Sequence, residues 1–198
     1  MSLLELSALQ VGRGTRTLTH PLSLSLKAGD GCHLTGPNGI GKTTLLETAA
    51  GLRPPWTGEV RRHARAHWLG HRNALAGNLT PEQNLDAWAG LQADVRRSPL
   101  DALAAMGVPA PRRRLCRQLS AGQRRRAALA RLLIAPRPLW ILDEPLDGLD
   151  RDGLTLLAGL IETHRAGGGA LLITSHQPLP AGMRAISEQL LRPAGAPA

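Results

Sequence analysis

Apolar and polar positions change period several times along this 198-residue chain, and each change marks an element. Up to Thr35 the pattern is strand-like. Leu18, Leu22, Leu24 and Leu26 stand among polar residues ahead of a Lys27-Ala28-Gly29-Asp30-Gly31 turn. Cys32 to Thr35 reads as a further short strand, and Thr43 to Ala50 carries helical spacing. Pro54-Pro55 breaks the chain, and Gly58 to Leu69 holds more short strands. From Thr80 to Ile134 β-branched residues thin out and Ala, Leu and Arg take over. There Thr80-Pro81-Glu82-Gln83 combines an N-cap, a proline at the first helical position and a capping-box glutamine. A second helix is expected from Pro99 to Met106, stopped by Gly107, and a third starts at Ser120. Leu139 to Leu142 is wholly apolar, as a buried strand is; Arg151 to Arg165 is helical, and Gly167-Gly168-Gly169 separates it from a strand at Ala170 to Thr174. The pattern predicts an α/β core interrupted by an all-helical insert.

Composition narrows the function classes. The length fits one domain with a sizeable core. No apolar run approaches the roughly 18 residues of a membrane span, and the first residues lack a signal-peptide pattern. Two distant cysteines, Cys32 and Cys116, fit no metal or disulfide framework, so a reducing cytosol is expected. The net charge of +9 is nearly all arginine, clustered at Arg61-Arg62, Arg96-Arg97, Arg112-Arg113-Arg114 and Arg124-Arg125-Arg126. Such clusters suit nucleic acid or an anionic membrane surface. Tyr and Phe are absent, which removes most of the usual stacking platform for single strands. Coding bias and work near a membrane account better for the charge, and no nucleic-acid partner is expected.

The chemistry begins at Gly36-Pro37-Asn38-Gly39-Ile40-Gly41-Lys42-Thr43, a complete G-x-x-x-x-G-K-[ST] phosphate-binding loop followed by Thr44. It sits between a strand and a helix, the context that gives the string its meaning. Glycines let successive N–H groups turn toward phosphate oxygens, and the helix N-terminus adds partial positive charge. Lys42 would supply a point charge to the outer phosphates and the Thr43 hydroxyl a ligand to Mg²⁺. The second motif is Leu139-Trp140-Ile141-Leu142-Asp143-Glu144, an apolar strand ending in two acids at the carboxyl edge of a parallel sheet. Asp143 suits Mg²⁺ coordination, and Glu144 is placed to polarise an attacking water. The third is Leu119-Ser120-Ala121-Gly122-Gln123. Ser120 and Gln123 form a capping box on their spacing alone, and a serine-glycine turn at a helix start is also an anion site.

With that third string the chain resembles the ATP-binding cassette family, whose signature is L-S-x-G-Q. The order agrees over almost the whole length: phosphate loop, helical insert with signature, acid pair, Leu149-Asp150, then Thr174-Ser175-His176. The resemblance implies a P-loop NTPase core with an antiparallel β edge region and an inserted α-helical subdomain. Residues 1–198 would form one ATPase domain, with core at 1–78 and 135–198 and helical subdomain at about 79–134. It implies a cassette homodimer in which Ser120, Ala121, Gly122 and Gln123 face the ATP held by the other copy. Asp150 would lie at the dimer contact and His176 would reach the outer phosphate. The family's usual glutamine after the insert-proximal strand is replaced here, in Leu69-Gly70-His71-Arg72-Asn73, by Arg72. Arginine cannot ligate Mg²⁺ but can pair with a phosphate oxygen, so Arg72 is expected to act in coupling. The aromatic that usually stacks on adenine is also missing from Val11-Gly12-Arg13-Gly14.

Within the family the insert is too short for the coiled coils of chromosome-maintenance relatives, and one cassette is present where translation-associated relatives carry two. A kinase or GTPase would lack the signature string. A transporter ATPase remains. Trp68-Leu69-Gly70-His71, Leu139 to Pro145 and Ser175-His176-Gln177-Pro178-Leu179 resemble the ATPase subunits of cytochrome c maturation haem exporters. The resemblance implies a peripheral subunit at the cytoplasmic face of the inner membrane, bound to multispanning subunits near Arg72 to Glu82. Those partners would handle haem, and no C-x-x-C-H attachment string occurs in this chain. The alternative is the ATPase of another small exporter, of drugs or lipids.

Overall fold

Alternating leucines near the start of the chain pair into an antiparallel sheet. In the computed structural model, which describes residues 1–108, 114–183 and 186–194, β1 (Ser2–Gln10) lies between β4 (Leu22–Lys27) and β6 (Thr57–Arg62). Leu4 stands opposite Leu26, and Leu6 opposite Leu24 and Val60, so one face of the sheet is apolar. Two short strands, β2 (Gly12–Arg13) and β3 (Arg16–Thr17), form a ribbon after β1.

The second sheet is parallel. It contains β5 (Gly31–Thr35), β7 (Ala66–Leu69), β8 (Leu139–Leu142), β9 (Ala170–Thr174) and β10 (Ser187–Leu190), in the order β10-β5-β9-β8-β7. Every residue of β8 and β9 is buried, as expected of central parallel strands covered on both faces. Helix α1 (Lys42–Ala50) touches both sheets and adds Leu45, Leu46 and Ala49 to a core that includes Leu4, Leu26, Leu34, Ile141 and Leu172. Gly51 ends α1 at φ +85°, and Arg62 donates to the last carbonyls, Thr48 O and Ala49 O. These elements belong to one compact unit, Met1–Gly70 with Arg137–Glu144 and Ile161–Ala198.

The other compact unit comprises His71–Pro136 and Pro145–Leu160. It holds α2 (Pro81–Ala89), α3 (Pro99–Ala105), α4 (Ala121–Leu129), α5 (Arg131–Ile134) and the first turns of α6 (Arg151–Ala166). The capping box expected at Thr80 and Gln83 forms, and Ser98 caps α3. Leu85, Leu103, Met106, Leu129 and Ile134 are fully buried. Asn84, buried beside them, bonds Ala76 N at 2.7 Å, Ala76 O, Thr80 O and Cys116 Sγ, so its burial is compensated. Both cysteines are free and buried, and burial pushes the Cys32 thiol up to about 11.

Two features go beyond what the sequence gives. The Arg124-Arg125-Arg126 run, one of the basic clusters, is partly buried. Arg125 is buried and donates to Pro145 O, His71 O and Asn73 Oδ1, while Arg124 donates to Leu119 O and Arg126 approaches Asp150 at 3.6 Å. Strand β10 was not visible in the sequence: Ser187-Glu188-Gln189-Leu190 has no apolar face, and it pairs with the open edge of β5. Arg112 and Arg113 lie outside the described residues. Among the described residues no helix is long and apolar enough to cross a membrane.

Candidate functional site

The loop from Gly36 to Gly41 joins β5 to α1 through three left-handed glycines, Gly36 (φ +146°), Gly39 (φ +78°) and Gly41 (φ +106°). At Gly36 a Cβ would also lie 2.9 Å from Leu191 O, so the position is closed to other residues twice over. Pro37, Asn38 and Gly39 are exposed and Ile40 is buried. Unlike α2, α3 and α4, α1 has no side-chain cap at its start, which leaves its first N–H groups available to an anion. Lys42 is buried to 8% exposure and folds back over the loop, its Nζ 2.8 Å from Gly36 O and 3.2 Å from Pro37 O. Those bonds place an ammonium at the loop's rim. Thr44 is half-buried behind Thr43 and accepts at its carbonyl from Thr48 Oγ1.

From Thr43 a continuous hydrogen-bonded chain runs along the strand ends. Thr43 Oγ1 donates to Asp143 Oδ2 at 2.9 Å, and Thr174 Oγ1 donates to Asp143 Oδ1 at 2.8 Å. The same Thr174 hydroxyl accepts from Glu144 N at 3.0 Å. Glu144 Oε2 accepts from His176 N at 2.8 Å, and Glu144 Oε1 lies 3.4 Å from His176 Nε2. Asp143 and Glu144 are both buried, whereas the His176 side chain is half exposed. Glu144 has φ +49°, a conformation that costs a non-glycine residue about 1–3 kcal/mol and recurs at active sites. The strain is held by bonds on both the backbone N–H and the carboxylate of that residue. Thr174, absent from the sequence-derived set, is the residue that joins the two acids. Its only sequence signal is a polar residue closing an otherwise apolar strand.

In the helical unit Ser120 Oγ accepts from Gln123 N, and Gln123 Oε1 accepts from Ser120 N, both at 3.1 Å. The capping box therefore exists, with Ser120 and Ala121 exposed. Gly122 packs against backbone: a Cβ there would lie 2.7 Å from Gly148 O. Asp150 starts α6, its Oδ1 accepting from Gly153 N at 2.9 Å. Arg72 is exposed, and its neighbour Asn73 accepts from Arg125 Nη1 at 3.1 Å. In the first unit, an aromatic does stand beside Val11 to Gly14. The half-exposed Trp56 donates from its backbone N to Gln10 O, and its ring lies over Gly12, where a Cβ would meet Cε3 at 2.6 Å. Sequence reasoning missed it because the two segments are far apart in the chain.

An uncapped helix after a left-handed glycine loop, a rim lysine, and a hydroxyl tied to an acid at the ends of parallel strands define a P-loop nucleoside triphosphatase. The ABC transporter family matches residues 19–147. The cytochrome c biogenesis ATP-binding export protein CcmA of Gluconobacter oxydans is 46% identical over 90% of this chain and 83% of its own. Its counterpart in Hyphomonas neptunium is 44% identical over 88% of this chain and 90% of its own. Among solved structures, a putative ABC transporter ATP-binding protein from Pyrococcus furiosus superposes with a TM-score of 0.80 at 26% identity, covering 95% of this chain and 96% of that one. A dimeric ATP-binding cassette bound to ADP and phosphate, 21% identical and with a TM-score of 0.79 over 96% of this chain and 94% of that one, shares the fold. The chain belongs to the ABC transporter family, in the group of cytochrome c biogenesis ATP-binding export proteins. It binds and hydrolyses ATP.

Proposed function

We propose that this chain powers the haem-export step of cytochrome c biogenesis, as the ATPase subunit of a complex with multispanning membrane subunits. The hydrogen-bonded chain from Thr43 through Asp143, Thr174 and Glu144 to His176 supports the hydrolytic part. Likeness to the CcmA proteins supports the biological part. The loop N–H groups, Lys42 and the start of α1 bind the phosphates of ATP. Thr43 and Asp143 put two oxygens 2.9 Å apart beside that loop, a donor set that fits a hard divalent cation. Mg²⁺ held there would neutralise charge on the outer phosphates.

Glu144 accepts a proton from water as its oxygen forms a bond to the outer phosphorus. The bond from that phosphorus to the bridging oxygen breaks, and ADP leaves with the electron pair. His176 contacts the outer phosphate. Two copies pair about a two-fold axis, so that Ser120, Ala121, Gly122 and Gln123 of one copy close over the ATP of the other, with Asp150 at the contact. Membrane subunits dock near Arg72 to Glu82 at the cytoplasmic face of the inner membrane and handle haem themselves. Arg72 acts in that coupling.

Complementation tests the reading. Cells lacking this protein should fail to attach haem covalently to apocytochromes outside the membrane, and the Lys42→Ala variant should not restore attachment. Normal c-type cytochromes with a stably produced Lys42→Ala protein would refute it. Glu144→Gln should bind ATP and persist as a closed dimer, because its amide cannot take the proton.

A further inference from the structure

One polar side chain of β5 has no part in the chemistry above. Cys32 and Leu34 of that strand point into the core, while His33, on the opposite face with Thr35, is only half-buried. Its ring Nε2 lies 3.3 Å from Ser175 O. A carbonyl can only accept, so His33 donates from Nε2, which fixes the proton on that nitrogen.

Ser175 O and His176 N belong to the same peptide unit. The N–H edge of that unit donates to Glu144 Oε2 at 2.8 Å, and the carbonyl edge accepts from His33. The plane is thus held from both sides. Ser175 also closes a tight turn, its Oγ accepting from Gln177 N at 3.0 Å and donating to Gln177 O at 2.7 Å. The orientation of this peptide sets the direction in which the half-exposed His176 side chain leaves the backbone. Across the carbonyl edge lies a cavity of about 460 Å³, lined among others by His33, Ser175, His176, Gln177 and Glu188. Water entering it would compete for Ser175 O if the imidazole were removed.

We propose that His33 is a positioning residue for His176: it clamps the Ser175–His176 peptide against Glu144 and so keeps the His176 imidazole aimed at the outer phosphate. The proposal rests on the reading that His176 contacts that phosphate. It differs from a packing role in what it predicts. A strand residue that merely fills space would act on stability, and its loss would be mended by any side chain of similar volume. A clamp needs the donor.

The test compares His33→Phe, which keeps the ring and loses both nitrogens, with His33→Gln, whose amide N–H stands at a similar reach. His33→Leu replaces Phe if that variant does not fold. ATP turnover is measured on the full chain and on its membrane complex, with nucleotide affinity and thermal midpoint as controls. His33→Phe should lose about tenfold or more in kcat with KM for ATP within about twofold, the signature of a group that matters after binding. His33→Gln should recover most of that loss. His176→Ala is measured alongside, alone and combined with His33→Phe, and the combined variant should be no slower than His176→Ala. Full turnover in His33→Phe, or failure of Gln to rescue, would overturn the proposal while leaving the His176 reading in place. Full turnover in His176→Ala would overturn that reading and the proposal with it.

Discussion

Thr174→Val isolates the one hydroxyl that ties the acids together. The side chain is fully buried, and valine keeps its volume and β-branching, so packing changes little. Two interactions are lost. The bond to Asp143 Oδ1, at 2.8 Å, is charge-assisted and worth about 1.5–3 kcal/mol. The Glu144 N–H loses the acceptor it finds at 3.0 Å, which costs about 1–3 kcal/mol for a buried donor. Both losses fall on one oxygen and do not simply add, so the variant should be less stable by about 2–4 kcal/mol. In a chain of this size that lowers the thermal midpoint by roughly 5–15 °C. Turnover should fall further than stability suggests, because the backbone bond that helps hold Glu144 at positive φ has gone and its carboxylate is then held from the His176 side alone among the bonds described above. Thr174→Ser is the control: it keeps the hydroxyl, loses about 1 kcal/mol of packing and retains activity. Chemical denaturation and steady-state turnover measure both effects. A valine variant within about 0.5 kcal/mol of the parent and with normal turnover would refute the claim that Thr174 organises the acid pair.

Three further outcomes are expected. Ser120→Asn should leave stability within about 0.5 kcal/mol, since asparagine caps as well as serine, yet block turnover if Ser120 meets the facing copy's nucleotide; denaturation and turnover on one preparation separate the two. Gly122→Ala gains about 1 kcal/mol of helix propensity but puts a Cβ 2.7 Å from Gly148 O, and a urea melt should show net destabilisation because backbone cannot step aside. His164 stacks on Trp140 at 3.9 Å, and burial lowers its pKa below the ordinary 6.5, against smaller opposing contributions from hydrogen bonds to Ala170 and Pro138. The unfolded chain therefore binds the proton more readily, and the folded state loses stability as pH falls below 6.5 toward the lowered value. Melts of parent and His164→Phe at about pH 7.5 and about pH 5.5 should show the larger acid loss in the parent.

What was legible in the sequence is what local geometry dictates. The phosphate loop needs left-handed backbone at Gly36, Gly39 and Gly41, and only glycine supplies it cheaply, so the spacing survives as a string. The boxes at Thr80 and Ser120 close within four residues, and their partners are adjacent in the chain. The continuous apolar runs of β8 and β9 announce burial on both faces. By contrast β10 has no pattern of its own and exists because β5 offers an edge. The extent of the helical unit is also hidden, since Pro145–Leu160 joins it from beyond the acid pair and composition does not mark the return.

The candidate site divides along the same line. Lys42, Asp143, Glu144 and Ser120 stand in strings that their spacing singles out. Lys42 and Ser120 are held by partners close in the chain, Gly36, Pro37 and Gln123, but the groups that hold the acids and the His176 peptide are remote. Thr174 reaches back 31 residues to Asp143, and His33 lies 142 residues before Ser175. Arg125 shows why composition misleads here. As the middle of three arginines it reads as surface charge, yet it is buried and fully engaged with Pro145, His71 and Asn73. A buried guanidinium with carbonyl partners is costly to strip of any one of them, because five N–H donors must be satisfied where water is scarce. The segment carrying Arg72 is therefore anchored one residue away, at Asn73, by a side chain of the helix that Ser120 begins. A change at Asn73 should then disturb the signature helix without touching Ser120. Asn73→Ala should lower stability by about 1–3 kcal/mol, the cost of leaving a buried charged donor short of a partner. Asn73→Asp should be milder, since the carboxylate still accepts from Arg125. Denaturation of the two variants side by side decides this, and equal stability of Asn73→Ala and the parent would show that Arg125 needs no partner at that position.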